Sequence, residues 1–505
     1  MSNNTLPSSI ESNLTLSSDQ STQGKQAAFS IGSNTNQSVQ LNIATYDLTL
    51  LGLTTNWGQI RGVAGSKKGY PSVIDIESII PVPSTISSPI SILTNKANAV
   101  IDVAVIRDNG IKNNDWALTN PYVSSILNQG TINVDKYFNA GQMRNNGIIN
   151  FRDWGKFLGG SVTNGSNVFI NEKPGKINFG ANSTVFLGDK FSQRSIFNYG
   201  TVTFKEGVKI NGGSNDYPAI VNSGGKIIFS GNSMSGMLAN YGSKGDGSGL
   251  FGSANFTNEE YTAYGNLMPG TSSAQGSFTF NGFNGNLQRS VSHEFDLFYP
   301  GSSDYLMSTR NAELNSGTVL DLNWRGKGTI STNSRFSIFK TKSGTNNLTG
   351  QYLNSDEVLI EEGGVVDYVA KGSSANTAAK LYITYQGGGG SDIELYTAGV
   401  TYNRGSSKAD VITGTKGTDV YQGLSGNDYL IATEGIDDYY GGEGADEFLA
   451  KKGEGHMVIH DFNPDEGDIL RMAGGGLLRA TEDLNDSGTT QYFNGSDLVA
   501  IVPSI

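Results

Sequence analysis

Short apolar–polar alternations led by glycine recur through the middle of the chain. The pattern Gly-x-U-x-U, with U apolar, reads GTINV from Gly130, GIINF from Gly147, GKINF from Gly175 and GTVTF from Gly200. It continues as GKIIF from Gly225, GSANF from Gly252 and GSFTF from Gly276, at intervals of 17, 28, 25, 25, 27 and 24 residues. A strand alternates faces with period two, so both U positions point to one side. A short strand recurring every ~25 residues is the mark of a solenoid. The pattern therefore predicts an all-β chain with a parallel β-helix, one coil per repeat, rising ~4.8 Å per coil. A β-sandwich with regularly spaced strands is the alternative that this spacing allows. Asn often precedes the glycine (Asn128, Asn145, Asn198, Asn222), as expected where a turn needs left-handed backbone geometry.

The flanks read differently. Residues 1–40 are rich in Ser, Asn, Thr and Gln, with too little apolar material to fold alone, and are expected to be disordered. They carry no basic start followed by an apolar run, so they do not read as a Sec signal peptide. Residues 41–120, with Leu50-Leu-Gly-Leu and Ala99-Val-Ile-Asp-Val-Ala-Val-Ile, are expected to close one end of the solenoid or begin its stack. Residues 121–300 would form the coils, and 301–400 a β cap or a continuation. Strong strand signals there are Gly317-Thr-Val-Leu-Asp-Leu-Asn, Arg335-Phe-Ser-Ile-Phe-Lys and Leu381-Tyr-Ile-Thr-Tyr-Gln-Gly-Gly-Gly-Gly-Ser-Asp-Ile-Glu-Leu395. The last resembles the closing strand pair of autotransporter-type β-helix passengers, which implies a cap over the open solenoid edge.

From Gly405 the period becomes nine: GSSKADVIT, GTKGTDVYQ, GLSGNDYLI, ATEGIDDYY and GGEGADEFL. The sixth position is always Asp (Asp410, Asp419, Asp428, Asp437, Asp446), and the eighth is always large and apolar (Ile412, Tyr421, Leu430, Tyr439, Phe448). Charge concentrates here as well. Residues 405–470 hold 14 acidic and 4 basic side chains, so −10 of the chain's net −12 lies in this stretch. The repeats resemble the GGxGxDxUx nonapeptide of RTX (hemolysin-type calcium-binding repeat) proteins. They depart from it at Ala432-Thr433, where the leading glycines are missing, and at Lys408.

The chemistry of the pattern is that of a hard cation. Ca²⁺ takes six to eight oxygens, here from the five Asp carboxylates and from backbone carbonyls of glycine-rich turns. The candidate metal-binding residues are those five aspartates with Gly414, Gly417, Gly423, Gly426, Gly435, Gly441 and Gly444. In a roll with two nonapeptides per coil, turns on one edge lie 18 residues apart. That pairs Asp410 with Asp428, Asp419 with Asp437, and Asp428 with Asp446. The resemblance implies a calcium-binding parallel β-roll over residues 401–455. Downstream, His456-Met-Val-Ile-His-Asp-Phe-Asn-Pro-Asp-Glu-Gly-Asp-Ile-Leu470 resembles the segment that follows such repeats in type I secretion substrates. Residues 456–505 would then be the export-signal region, with the type I machinery as partner and the outside of the cell, or its surface, as destination.

Composition narrows the function further. There is no cysteine, so disulfides, thiol catalysis and Cys-based metal sites are excluded. The acidic balance argues against nucleic-acid binding, and no apolar run approaches the ~20 residues of a membrane helix. The histidines are His293, His456 and His460, with no HExxH and no G-x-S-x-G. His456 and His460 share a strand face and could form a transition-metal pair, but with no third ligand in evidence they read as ordinary strand histidines. Arg152-Asp153-Trp154, Lys209 with Asp216, and the turn aromatics Tyr199, Tyr217 and Tyr241 are the residues to weigh for polysaccharide chemistry or stacking. No lyase motif accompanies them. The expectation is a non-enzymatic calcium-binding protein of the cell surface or extracellular matrix, adhesive or structural, whose partners are itself or a surface polysaccharide. The alternative is a secreted polysaccharide lyase or epimerase.

Overall fold

The computed structural model describes residues 6, 9–15, 20–21, 29–33, 35–44, 47–50, 54–62, 73–78, 90–111, 123–140, 143–153, 156–159, 167–187, 194–212, 219–235, 238–241, 248–256, 262–264, 266–270, 274–280, 285–287, 292–298, 301–309, 311–314, 317–326, 330–341, 348–370, 380–388, 391–453, 455–482 and 489–503. All secondary structure among them is β. Two compact units divide the chain. One is Met1–Met268 with Asn281–Phe283 and Arg289–Ser292; the other is Pro269–Phe280, Asn284–Gln288 and His293–Ile505.

The first unit is a parallel β-helix. One of its sheets stacks eleven short strands, from Ser9–Ile10 to Thr262–Tyr264. Along a second face, Thr131 stands opposite Ile148, Ile148 opposite Lys176, Lys176 opposite Thr201, and Thr201 opposite Lys226. Both apolar positions of each repeat point inward, and Ile132, Ile149, Ile177, Val202 and Ile227 are buried. Phe151, Phe179, Phe204 and Phe229 form a stack with centroids 4.7, 5.0 and 5.5 Å apart.

The phase of one repeat differs from the sequence reading. Lys226 pairs with Gly249 and Phe229 with Gly252, so the rung above GKIIF begins at Gly249 rather than at Gly252. Gly252 occupies a close approach of two backbones: φ is +92°, and a Cβ there would sit 1.9 Å from the Phe229 carbonyl oxygen. Its glycine lets the two backbones approach and does not start a coil; the extra residue of this pairing falls between Ser230 and Asn232 on the facing strand.

The asparagines are also differently employed. Asn56, Asn95, Asn128, Asn145, Asn171, Asn198, Asn222 and Asn240 are fully buried and form one ladder. Each side-chain amide donates to the next Oδ1 at 2.7–2.8 Å. Positive φ among non-glycine residues falls at Asn98, Asn182, Asn333, Glu357 and Leu424, not at these positions. Stacking, not turn geometry, explains the Asn before the glycine. Within the segment 1–40, expected to be disordered, several of the described residues form strands. Ser9–Ile10 pairs in parallel with Ser30 and Ile31, and Leu6, Ile10, Ile31 and Val39 are buried. Sparse apolar residues suffice when each meets a neighbouring rung.

In the second unit, Ser277–Phe280 pairs in parallel with Tyr305–Ser308, which pairs in parallel with Arg335–Thr341. The next neighbour, Asp392–Tyr396, runs antiparallel to Arg335–Thr341 and forms a hairpin with Leu381–Gly387. A β-roll follows. A seven-stranded sheet includes Val400–Arg404, Thr418–Ser425, Gly435–Glu443, Gly455–Ile459 and Asp497–Val502. It faces a four-stranded sheet of Val411–Thr413, Tyr429–Ile431, Glu447–Ala450 and Ile469–Met472.

Candidate metal centre

Each nonapeptide makes a glycine-bearing turn and then a short strand whose eighth residue enters the thin core between the sheets. Tyr421, Leu430, Tyr439 and Phe448 are fully buried and Ile412 nearly so. Tyr421 stacks on Tyr439 at 4.2 Å, and Leu430 stands opposite both Ile412 and Phe448. This packing sets the height of successive turns, and the turns carry the aspartates.

The structure brings together aspartates 18 residues apart. On one edge the Asp410 N–H donates to Asp428 Oδ1 at 2.8 Å, and the Asp428 N–H to Asp446 Oδ1 at 2.8 Å. On the other edge the Asp419 N–H donates to Asp437 Oδ1 at 3.0 Å. Asp410 is half-buried; the other four are buried.

Their second oxygens fall into two groups. Asp419 Oδ2 accepts the Thr415 N–H and hydroxyl at 2.7 and 3.0 Å, and Asp437 Oδ2 accepts the Thr433 hydroxyl at 3.3 Å. Asp410 Oδ2 is likewise held by the Ser406 N–H and hydroxyl, at 2.6 and 2.8 Å. Asp428 Oδ2 and Asp446 Oδ2, by contrast, are buried with no hydrogen-bond partner. Such an orphaned acceptor is costly unless a cation or donor meets it.

The glycines make room around these oxygens. A Cβ on Gly423 or on Gly441 would lie 2.3 Å from Asp428 Oδ2 or Asp446 Oδ2 respectively. The Gly441 carbonyl oxygen would be equally close to the Gly423 Cβ. Gly414 occupies the same place beside Asp419, while Gly417 and Gly426 turn their carbonyls toward Gly435 and Gly444 on the next turns.

Electrostatics point the same way. Burial, with a neighbouring carboxylate adding to it, pushes Asp437 and Asp446 up to about 6 and raises Asp428 as well. Asp410 moves the other way, held low by its Ser406 hydrogen bonds. Among the described residues no group of three or more His, Cys, Asp or Glu side chains could hold a metal alone. Backbone carbonyls must complete any coordination shell. A paired carboxylate with carbonyl oxygens and no nitrogen or sulfur is a donor set for a hard cation, and the residues fit Ca²⁺.

Two further carboxylates join the site, and neither was singled out from the sequence. Asp468 Oδ1 accepts the Asp446 N–H at 2.9 Å, and Asp461 accepts the N–H groups of Gly441 and Gly442, both at 2.9 Å. The signal for Asp468 was its Asp-x-U spacing to Leu470.

Several of the remaining candidates have structural partners. Arg152 is paired with Asp102 at 3.0 Å and Asp135 at 2.8 Å, bracing coils of the helix. Asp153 caps the Ala181 N–H at 2.8 Å. Lys209, Tyr199 and Tyr241 are exposed, and Trp154, Asp216 and Tyr217 lie outside the described residues. His460 bonds Asp438 at 2.5 Å and stacks on Tyr440, while His456, half-buried, is shifted down by burial. His293 bonds the Tyr352 hydroxyl at 2.7 Å. Among the described residues no helix is long and apolar enough to cross a membrane.

Comparison with known families places a name on the repeats. A family model described as the RTX calcium-binding nonapeptide repeat (4 copies) matches residues 404–430 and 413–448. That repeat family binds Ca²⁺. No curated protein and no solved structure matches the chain.

Proposed function

We propose that this is a secreted calcium-binding protein whose roll folds on Ca²⁺ after export and whose β-helix is a structural or adhesive rod at the cell surface or in the extracellular matrix. The observation that carries the reading is the pair of buried, unpartnered carboxylate oxygens on Asp428 and Asp446, each seated against a glycine that leaves it space. A bound Ca²⁺ supplies the positive charge that the −10 stretch lacks. The chain's part is to bury the carboxylates, hold them in register through the N–H to Oδ1 bonds, and turn carbonyls toward them.

Cytosolic calcium lies far below the ~10⁻⁴–10⁻³ M range of extracellular calcium modules. The roll would therefore stay open inside the cell, in a form that a narrow type I export channel can pass, and close outside. The five repeat aspartates and their turn glycines are the residues assigned to this task. A polysaccharide-active site gains no support from Arg152 and Asp153, which are engaged in ion pairs and a cap.

Hydrogen exchange on the full chain tests the reading. Amides of residues 405–472 should exchange slowly in millimolar-range calcium (about 10⁻³ M, the upper end for extracellular modules) and fast in chelator. Equal protection in the two conditions would refute it.

A further inference from the structure

We propose that Asp468, beyond the matched repeats, is the last carboxylate of the calcium row on one edge of the roll and closes a cation site with Asp446. The assignment rests on the reading of the roll as calcium-folded and extends it to residues that the repeat pattern leaves out.

The row is continuous in its bonding. The N–H groups of Asp410, Asp428 and Asp446 donate in turn to the Oδ1 atoms of Asp428, Asp446 and Asp468, at 2.8, 2.8 and 2.9 Å. The last step spans 22 residues rather than 18. Two of the four extra residues enter before Gly455, since Gly435–Tyr439 already stand opposite Gly455–Ile459, and two more enter before Ile469; the Asn463 N–H holds Asp468 Oδ2 at 2.8 Å. Register then resumes: Ile469 and Leu470 stand opposite Glu447 and Phe448, as those two stand opposite Tyr429 and Leu430.

A second observation points to a ligand at this place. Asp446 is 1% exposed, and its Oδ2 has no hydrogen-bond partner. Asp468 is 8% exposed, so two buried carboxylates adjoin with one oxygen unmet. Asp461 occupies the N–H groups of Gly441 and Gly442 and so fixes the N-terminal side of the Asp446 turn. The opposite edge lacks this demand, because Thr415 and Thr433 already meet the second oxygens of Asp419 and Asp437.

Calorimetric titration of the full chain with Ca²⁺ tests the assignment. Asp468→Asn keeps an acceptor for the Asp446 N–H and removes the charge. It should bind one Ca²⁺ fewer than wild type while showing the wild-type β circular dichroism in excess calcium. Asp465→Asn removes the same charge from an exposed position in the same turn and should keep the wild-type stoichiometry. An unchanged count for Asp468→Asn, or an equal loss for Asp465→Asn, overturns the assignment and leaves the calcium reading standing. Should Asp468→Asn not fold, a calcium-loaded crystal structure of the wild type decides. An ion within ~2.3–2.6 Å of the Asp468 carboxylate supports the assignment, and a row of ions that ends before it overturns it. A wild-type chain that takes up no Ca²⁺ brings down this assignment and the calcium reading together.

Discussion

Replacing Asn171 by Leu would break the ladder on both sides: Asn198 Oδ1 loses its donor, and Asn145 Nδ2 loses its ladder acceptor and keeps only the longer contacts to the Gly147 and Lys176 carbonyls. An unmet buried polar group costs about 1–3 kcal/mol, so Asn171→Leu should lower stability by roughly 2–4 kcal/mol in urea unfolding. Asn56→Leu should cost less, because its Oδ1 already lacks a partner and only Asn95 loses one. Equal losses would mean that the ladder is not cooperative along its length. The ladder was hard to read from sequence because its bonds join residues 17 to 39 positions apart, and only stacking makes them neighbours. His293 gives a pH dependence. Full burial holds its imidazole neutral down to about 3, whereas the unfolded side chain titrates near 6.5. As pH falls below 6.5 the unfolded chain takes up the proton first, so stability declines until about pH 3 and is unaffected above 6.5. The slope approaches ~1.4 kcal/mol per pH unit for this one proton. Urea unfolding of wild type and His293→Gln at low and neutral pH should show a smaller acid loss in the variant; parallel losses would contradict the burial argument.

At the scale of one turn and its strand, two turns on the same edge of the roll should answer differently to mutation. Asp428 accepts the Asp410 N–H, donates to Asp446, and carries an unpartnered oxygen, whereas Asp410 Oδ2 is already held by Ser406. In calcium titration Asp428→Ala should therefore lose more affinity than Asp410→Ala; equal damage would argue against the 18-residue pairing as the unit of binding. The nonapeptide was legible because every nine residues face the same two demands, a carboxylate in the turn and an apolar side chain in a thin core. Asp468 escaped because four inserted residues break the phase while leaving the register intact. The coils were legible from Gly130 to Gly225 for the same reason, their paired apolar positions. The Gly252 rung was misplaced because a glycine needed for close backbone approach and a coil-start glycine look alike in sequence. Along the Phe stack, Phe179→Ala removes a ring that touches Phe151 and Phe204, at a cost of about 3–5 kcal/mol by the usual large-to-small series. Thermal or urea unfolding reads that loss directly.

For the molecule as a whole, two features tie distant stretches of the second unit together. Arg335 is shared between Glu394, at 3.0 Å, and Asp438 of the roll strand Gly435–Glu443. Asp438→Ala would leave a largely buried guanidinium with one partner, and breaking such a pair costs about 3–5 kcal/mol. The loss should appear as faster hydrogen exchange in residues 330–341 and 391–396 even in saturating calcium. The strand Asp497–Val502 pairs in parallel with Gly455–Ile459 and contributes Val499 and Ala500 to the roll core. The tail expected as an export address is thus also part of the roll's sheet, so the two roles are separable by point changes in the turns but not by truncation. The Asn ladder has a different reach. Its donors all point in one direction, and each rung presents the same amide to the next, so the coils are interchangeable parts. Excising residues 172–198, which span one step from Asn171 to Asn198, would seat Asn171 beneath Asn222 and Phe151 beneath Phe204. The shortened chain should fold with one rung, ~4.8 Å, fewer, whereas removing half that stretch should not. Length in this protein is a quantity that can change by whole coils, without any new interface having to arise.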